Sequence, residues 1–294
     1  VKKQLNIVSN QKSILDNNFS MYPQAPEIVP GGAWFNSRDI TLSSLKGKVV
    51  LIDFWTYTCI NCIRTLPYLE NWYEKYKEDG FIIIGVHTPE FEFEKDAENV
   101  KKAIVDFGLS YPVVQDNNYA TWTAYSNRYW PAHYLIDKNG KVRYTHFGEG
   151  EYDKTEKTIQ SLLKETGATV NKEVSNEEYV VETQTPETYL GYLRMEGLDP
   201  SQQIVKDKQA IYSQPKKLGK NTFSFGGKWT IDSEKATGVV GSEIAYNYMA
   251  KNVFLVMNPA EKIAKVSISL DGGEEKIVLV DENKLYDIVK FSSM

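Results

Sequence analysis

The spacing of apolar residues changes near residue 175, and that change divides the chain. Residues 1–25 are polar with little periodicity and read as an N-terminal arm. In AWFNSRDITL, two short strands are expected around a turn at Asn36–Ser37. Val49 to Phe54 is a near-continuous apolar, β-branched run, the pattern of a strand buried on both faces. Ile63, Leu66, Leu69, Trp72 or Tyr73, and Tyr76 then recur at helical spacing, and Asp79–Gly80 stops that helix. FIIIGV is a second buried strand. EKDAENVKKAIVDFG reads as a helix, YPVVQD as a short strand and NYATWTAY as a further helix. AHYLID and KVRYTHF form a hairpin around Lys138–Asn139–Gly140, and an amphipathic helix follows with Ile159, Leu162 and Leu163 inward.

Strands alternating with helices predict an α/β layer over residues 26–170. Over 171–294 the pattern becomes one of successive strands: TFSFGGKWTID, SEIAYNYMA, KNVFLVMNP, AKVSISLDGG and EKIVLVDENK. Asp271–Gly272–Gly273 is a hairpin signal. This half is expected to be an all-β sandwich or jelly roll.

Composition narrows the function. The chain has 294 residues, 41% hydrophobic and 25% charged, with a net charge of -5 that argues against nucleic acid. No apolar run approaches the roughly 18 residues that cross a bilayer. The chain begins at Val1 rather than Met, which reads as a cut or processing point.

Both cysteines, Cys59 and Cys62, fall within FWTYTCINC. Two cysteines are no disulfide scaffold, and so short a loop gains little stability from a purely structural bridge. Zinc needs four ligands, and His87, His133 and His146 stand at no paired spacing, so no metal is expected. The C-x-x-C opens a helix directly after a buried strand. A helix N-terminus carries partial positive charge and free N–H groups, which favour a thiolate at Cys59. Cys62 lies one turn on, placed to attack a mixed disulfide formed at Cys59, as dithiol–disulfide exchange requires.

At this point the sequence resembles the thioredoxin superfamily. Asp53 stands six residues before the first cysteine, Pro67 five after the second, and Trp130–Pro131 precedes AHYLID as the superfamily's cis-proline does. EKDAENVKKAIVDFGLSYPVVQD, which holds the inserted helix and strand, is similar to the TlpA/ResA branch. TYTCINCIRTLPYL, GVHTPEF, NRYWPAHYLID, GEGEY and TPETYLGY together resemble the soluble C-terminal region of DipZ-type proteins. That resemblance implies a thioredoxin-like domain followed by a β domain likened to carbohydrate-binding modules. It implies protein thiol and disulfide substrates, with electrons from a CcdA- or DsbD-like membrane donor. It also implies an extracytoplasmic, membrane-associated location, and no cofactor beyond the redox-active disulfide. By the same resemblance Pro131 and Trp130 line the substrate groove, and Trp55 matches the tryptophan that supports the active loop; Trp55 and Tyr57, aromatic and beside the cysteines, are further candidates for that groove.

Three positions depart from the pattern. Thr58 replaces the tryptophan usual before the first cysteine, Ile60–Asn61 replaces Gly-Pro, and Thr65 stands where ResA-type chains place a glutamate. Another group must then move protons. Asp53, in an apolar run, is disfavoured in its charged form and is the candidate relay for Cys62. His87 and Glu90, in the loop after FIIIGV, are candidates to tune the thiols from the rim, while His146 is expected to be structural. Two other readings compete. One is a peroxiredoxin-type thiol peroxidase, for which Thr56 matches P-x-x-x-T-x-x-C while Ile52 occupies the proline position. The other is a module binding cell-wall glycan or a partner through the β domain, with Trp229, Tyr246 and Tyr248 there as sugar platforms or as core.

Overall fold

The computed structural model describes residues 22–176, 184–259 and 263–290. Most of the expected arm, residues 1–21, lies outside them. The chain divides into two compact units, Val1–Tyr179 and Val180–Met294.

The first unit is built on a six-stranded sheet in the order β1-β4-β3-β2-β5-β6. Its strands are β1 (Trp34–Phe35), β2 (Val49–Trp55), β3 (Phe81–His87), β4 (Val113–Gln115), β5 (Ala132–Ile136) and β6 (Val142–Phe147). Strand β2 sits inside the sheet, parallel to β3 and antiparallel to β5, and every one of its residues is buried. That is what an unbroken β-branched run is suited to. Helices α1 (Ile60–Tyr76), α2 (Ala97–Asp106) and α4 (Tyr152–Glu165) share a core with one face of the sheet. Leu51 and Trp55 meet Cys62, Leu66, Leu69, Trp72 and Leu163 there. The opposite face, with Val50, Ile52 and Phe54, is covered by Ile28, Leu45 and the short α3 (Ala120–Ala124). Gly85 lies opposite Asp53 on β3, and a Cβ there would stand 3.0 Å from Trp55 Nε1 and 3.2 Å from Tyr111 Cε2. Only a glycine leaves these two rings their places.

One expected strand does not form. After Trp34–Phe35, Asn36 adopts a left-handed φ of 59° and its amide donates to the Leu109 and Tyr111 carbonyls. The chain therefore turns away from the sheet, and Leu42–Leu45 closes a 3-10 turn capped by the Thr41 hydroxyl.

The second unit is rich in antiparallel strands. β7 (Gln209–Tyr212), β8 (Thr222–Ile231), β9 (Ala236–Gly238) and β10 (Glu243–Asn247) form a four-stranded sheet around β8. β11 (Asn252–Met257) pairs with β14 (Lys284–Lys290), and β12 (Ala264–Ser269) with β13 (Glu275–Val280). The β12–β13 turn carries the expected Asp271 and Gly272 at positive φ. Two small cores result, one of Tyr212, Phe223, Phe225, Trp229 and Ile231, the other of Val280, Tyr286 and Ile288. Trp229 belongs to the first of these, and Tyr246 packs against it with its hydroxyl 2.6 Å from that of Thr188.

Candidate functional site: a dithiol at a helix N-terminus

Strand β2 delivers the chain to the site, and α1 begins where β2's run of buried residues ends. Cys59 is the N-cap of α1, in extended conformation, and its Sγ accepts the Cys62 N–H at 3.2 Å. A sulfur takes the place that Ser or Asp would hold in an ordinary cap. Both cysteines are unbridged; Cys59 is half-buried and Cys62 fully buried. The Cys62 thiol donates to Cys59 Sγ at 2.6 Å. Burial pushes the Cys62 thiol well up, reinforced by its bond to Cys59 and by the nearby Asp53 charge. The two sulfurs are thus unlike: one half-buried and bonded to a helix N–H, one sealed and held protonated. Thr65, in the position of the absent glutamate, is buried and donates to the Cys62 carbonyl at 2.7 Å.

Asp53 is fully buried on the same sheet face as Leu51 and Trp55. His133 Nε2 lies 3.2 Å from its Oδ1, close enough for an ion pair but not aligned as a hydrogen bond. Neither oxygen of Asp53 nor either ring nitrogen of His133 has a hydrogen-bond partner.

Several expected site residues lie elsewhere than the rim. Trp55 and Tyr57 do not line a groove: both are buried among core side chains, because β2 runs inward up to the dithiol turn. His87 also belongs to the interior. Its ring is stacked on Tyr57 at 5.6 Å and edge-on to Trp55 at 5.2 Å, and its Nε2 lies 3.3 Å from the Thr56 hydroxyl. Burial lowers its pKa to about 3, so it is neutral at working pH. Trp130 does remain half-buried, its Nε1 donating to the Thr88 carbonyl at 3.1 Å and its ring tilted against Trp122. The Trp130–Pro131 peptide is cis, and Pro131 is buried just before β5, at the end of the sheet where β2 meets the dithiol.

Glu90 is not the acid that faces the dithiol turn. That acid is Glu94, fully buried in a 3-10 turn (Glu92–Lys95). Its Oε1 accepts the Thr58 hydroxyl at 2.5 Å, and its Oε2 accepts the N–H groups of Glu90 and Phe91 at 2.5 and 2.9 Å. Burial raises its pKa against these bonds. Thr58 immediately precedes Cys59, so Glu94 ties the β3–α2 loop to the reactive turn. Sequence reasoning missed it because Glu90, Glu92, Glu94 and Asp96 alternate along the loop with nothing local to single one out.

A half-buried and a fully buried thiol at a helix start, a cis-proline at the neighbouring strand end and a mixed sheet with helices on both faces define a thioredoxin-like dithiol protein. Comparison with known proteins agrees. Residues 26–163 match the Redoxin family model, and 185–294 match one described as "Thioredoxin like C-terminal domain". The chain is 31% identical over 142 residues to the thiol-disulfide oxidoreductase YkuV of Bacillus subtilis, covering 48% of this chain and 95% of YkuV. It is 34% identical over 125 residues to ResA of Bacillus cereus, covering 42% of this chain and 69% of ResA. It is 40% identical over 275 residues to Protein DipZ of Mycobacterium tuberculosis, covering 87% of this chain and 39% of DipZ. The chain thus spans less than half the length of that relative. It belongs to the thioredoxin-like thiol–disulfide oxidoreductases.

Proposed function

We propose that this chain shuttles electron pairs between protein thiols and disulfides outside the cytoplasm, replenished by a CcdA-like membrane donor. The observation that carries the reading is the asymmetric pair of unbridged thiols. The Cys59 thiolate attacks a partner disulfide, forming a mixed disulfide and releasing one partner thiolate. The Cys62 thiol then gives up its proton and attacks Cys59 Sγ. The Cys59–Cys62 disulfide forms, the second partner thiolate leaves, and the partner has gained two electrons. The donor and the compartment rest on the likeness to DipZ and ResA. Among the described residues no helix is long and apolar enough to cross a membrane, so membrane attachment would come from a segment or partner outside them.

The test is equilibration in graded thiol–disulfide buffers with free thiols trapped and weighed by mass. A two-electron potential well below about -200 mV fits a reductant fed from the membrane. A value near about -120 mV marks an oxidant and overturns the donor assignment. A pair that never titrates as a two-electron couple removes the exchange reading, and peroxide consumption by Cys59 becomes the assay to run.

A further inference from the structure

Asp53, His133 and His146 stand directly opposite one another on three adjacent strands. Asp53 on β2 pairs with His133 on β5, and His133 pairs with His146 on β6. Residues paired in register project from the same side of a sheet, so the three side chains form one row under the helices. The row starts beside Cys62, whose thiol feels the Asp53 charge. It ends at the surface: His146 Nδ1 is 3.6 Å from the carboxylate of Glu151, which is 52% exposed.

The inner end of this row holds four buried polar atoms without hydrogen bonds, the two oxygens of Asp53 and the two ring nitrogens of His133. Leaving such atoms unpaired in the interior is unfavourable, so a purely structural purpose would have been better served by apolar side chains. His133 turns Nε2 toward Asp53 and leaves Nδ1 unpartnered. Its ring centre is 6.1 Å from that of His146, a separation short enough for a single water to relay a proton between the rings. The Nε2 of His146 faces the Glu149 carbonyl at 3.3 Å; an N–H there makes Nδ1 the basic atom. Nδ1 is the atom that faces Glu151.

We propose that His133 and His146 form a proton conduit between buried Asp53 and solvent, and that it sets the rate at which Cys62 resolves a mixed disulfide. The inference rests on the exchange reading above. In the resolving step the Cys62 thiol loses its proton to Asp53 and its sulfur attacks Cys59. The proton moves to His133 Nε2, another leaves His133 Nδ1 for His146, and one is released past Glu151. No electrons travel along the row; they stay with the sulfurs. Asp53 bears on the reacting thiol through its charge, while the histidines act through Asp53 and are positioning residues. The charged and titratable neighbours that bear on the row are Cys62 from α1, buried Tyr111 just before β4, Glu149 and its partner Arg64, and Glu151 and Lys154 at the start of α4.

The test is a single turnover of the reduced full chain with 5,5'-dithiobis(2-nitrobenzoate). The first coloured thiolate appears when Cys59 attacks, the second when Cys62 resolves. His133→Gln and His146→Gln should leave the first release unchanged and slow the second by on the order of tenfold. They should also change its pH profile and its rate ratio in H2O and D2O, which a packing role would not do. Imidazole in the buffer should restore the rate in His146→Gln. His146 is partly exposed, so that variant carries the test if His133→Gln fails to fold. A second release in His146→Gln with wild-type rate, pH profile and isotope ratio overturns the conduit. A wild-type chain that gives no first release overturns the exchange reading instead.

Discussion

In the first unit, Asp53, His87, Glu94, His133 and Glu156 are all buried beneath helices; in the second, among the described residues, the buried polar side chains are Asp199 and Ser224. Placing a titratable group in an apolar interior costs several kcal/mol. The first unit bears this because its sheet is covered on both faces and its helices are cross-tied. Glu156 on α4 accepts both Lys75 and Tyr76 of α1 at 2.5 Å, and Arg143 grips Asp137 at 3.0 Å and Glu165 at 2.9 Å. The second unit has two shallow cores and leaves Ile277 and Leu279 of β13 more than half exposed. The larger core and the chemistry are found in the same unit.

The largest expected effect breaks the chemistry and leaves both units folded. Replacing Cys59 and Cys62 with serine removes every thiol in the chain. Insulin reduction should fall by at least about a thousandfold, with hydrogen exchange of both units unchanged. Residual turnover by the double variant would place activity outside the dithiol.

Acid should separate the units next. Burial holds His87 at about 3, against 6.5 when exposed. Between those values the unfolded chain binds a proton that the folded unit refuses. Stability of the first unit is therefore complete above pH 6.5 and falls as pH drops toward 3, by on the order of 5 kcal/mol from this residue. All three histidines lie in the first unit. In the second, hydrogen bonds from Ser201 hold Asp199 below the ordinary 3.8, so its contribution is lost only in stronger acid. Hydrogen exchange read peptide by peptide from pH 7 to 4 should show the first unit loosening alone. His87→Phe, which keeps a ring between Tyr57 and Trp55, should flatten that slope.

Glu94→Gln sharpens the comparison within the site. An amide cannot accept both the Thr58 hydroxyl and the two loop N–H groups as a carboxylate does, so about 1–3 kcal/mol of stability should be lost. The pH dependence runs opposite to that of His87. Because the folded carboxyl titrates above its ordinary 4.5, the folded state holds the extra proton, and stability falls as pH rises through that window. The variant should lack this fall in urea titrations. Attack by Cys59 should also slow, since Thr58 is no longer anchored.

Much of this was legible in the sequence, and the part that was not has a common cause. The run Val49–Phe54, the spacing Leu66–Leu69–Trp72–Tyr76 and the turn at Asp271–Gly272 are local patterns, and each formed its element. The C-x-x-C named its chemistry because both thiols lie one helical turn apart. Trp55, Tyr57 and His87 were expected nearer the surface because proximity in sequence to a reactive turn says nothing about which face a strand residue takes. The histidine row depends on pairing across three strands. Its outer half was countable, since a turn at Asn139–Gly140 brings His133 and His146 within a residue of facing each other. Its inner half, Asp53 opposite His133, joins residues 80 positions apart and needed the sheet.

The smallest expected effect concerns the second unit's surface. Ile277 is 54% exposed on β13, facing Ser267 across the β12 pairing. A half-exposed side chain gives up little apolar contact when shortened, so Ile277→Ala should change stability by no more than about 0.5 kcal/mol. Leu69→Ala, from a fully buried site in the first unit, should cost about 2–5 kcal/mol in the same urea titration. The contrast is informative in either direction. Equal costs would mean that β13 is covered in solution, and the shallow core of the second unit would then be one side of a larger interface. Unequal costs leave the first unit as the thermodynamic anchor, in keeping with the larger set of buried titratable groups it has to hold.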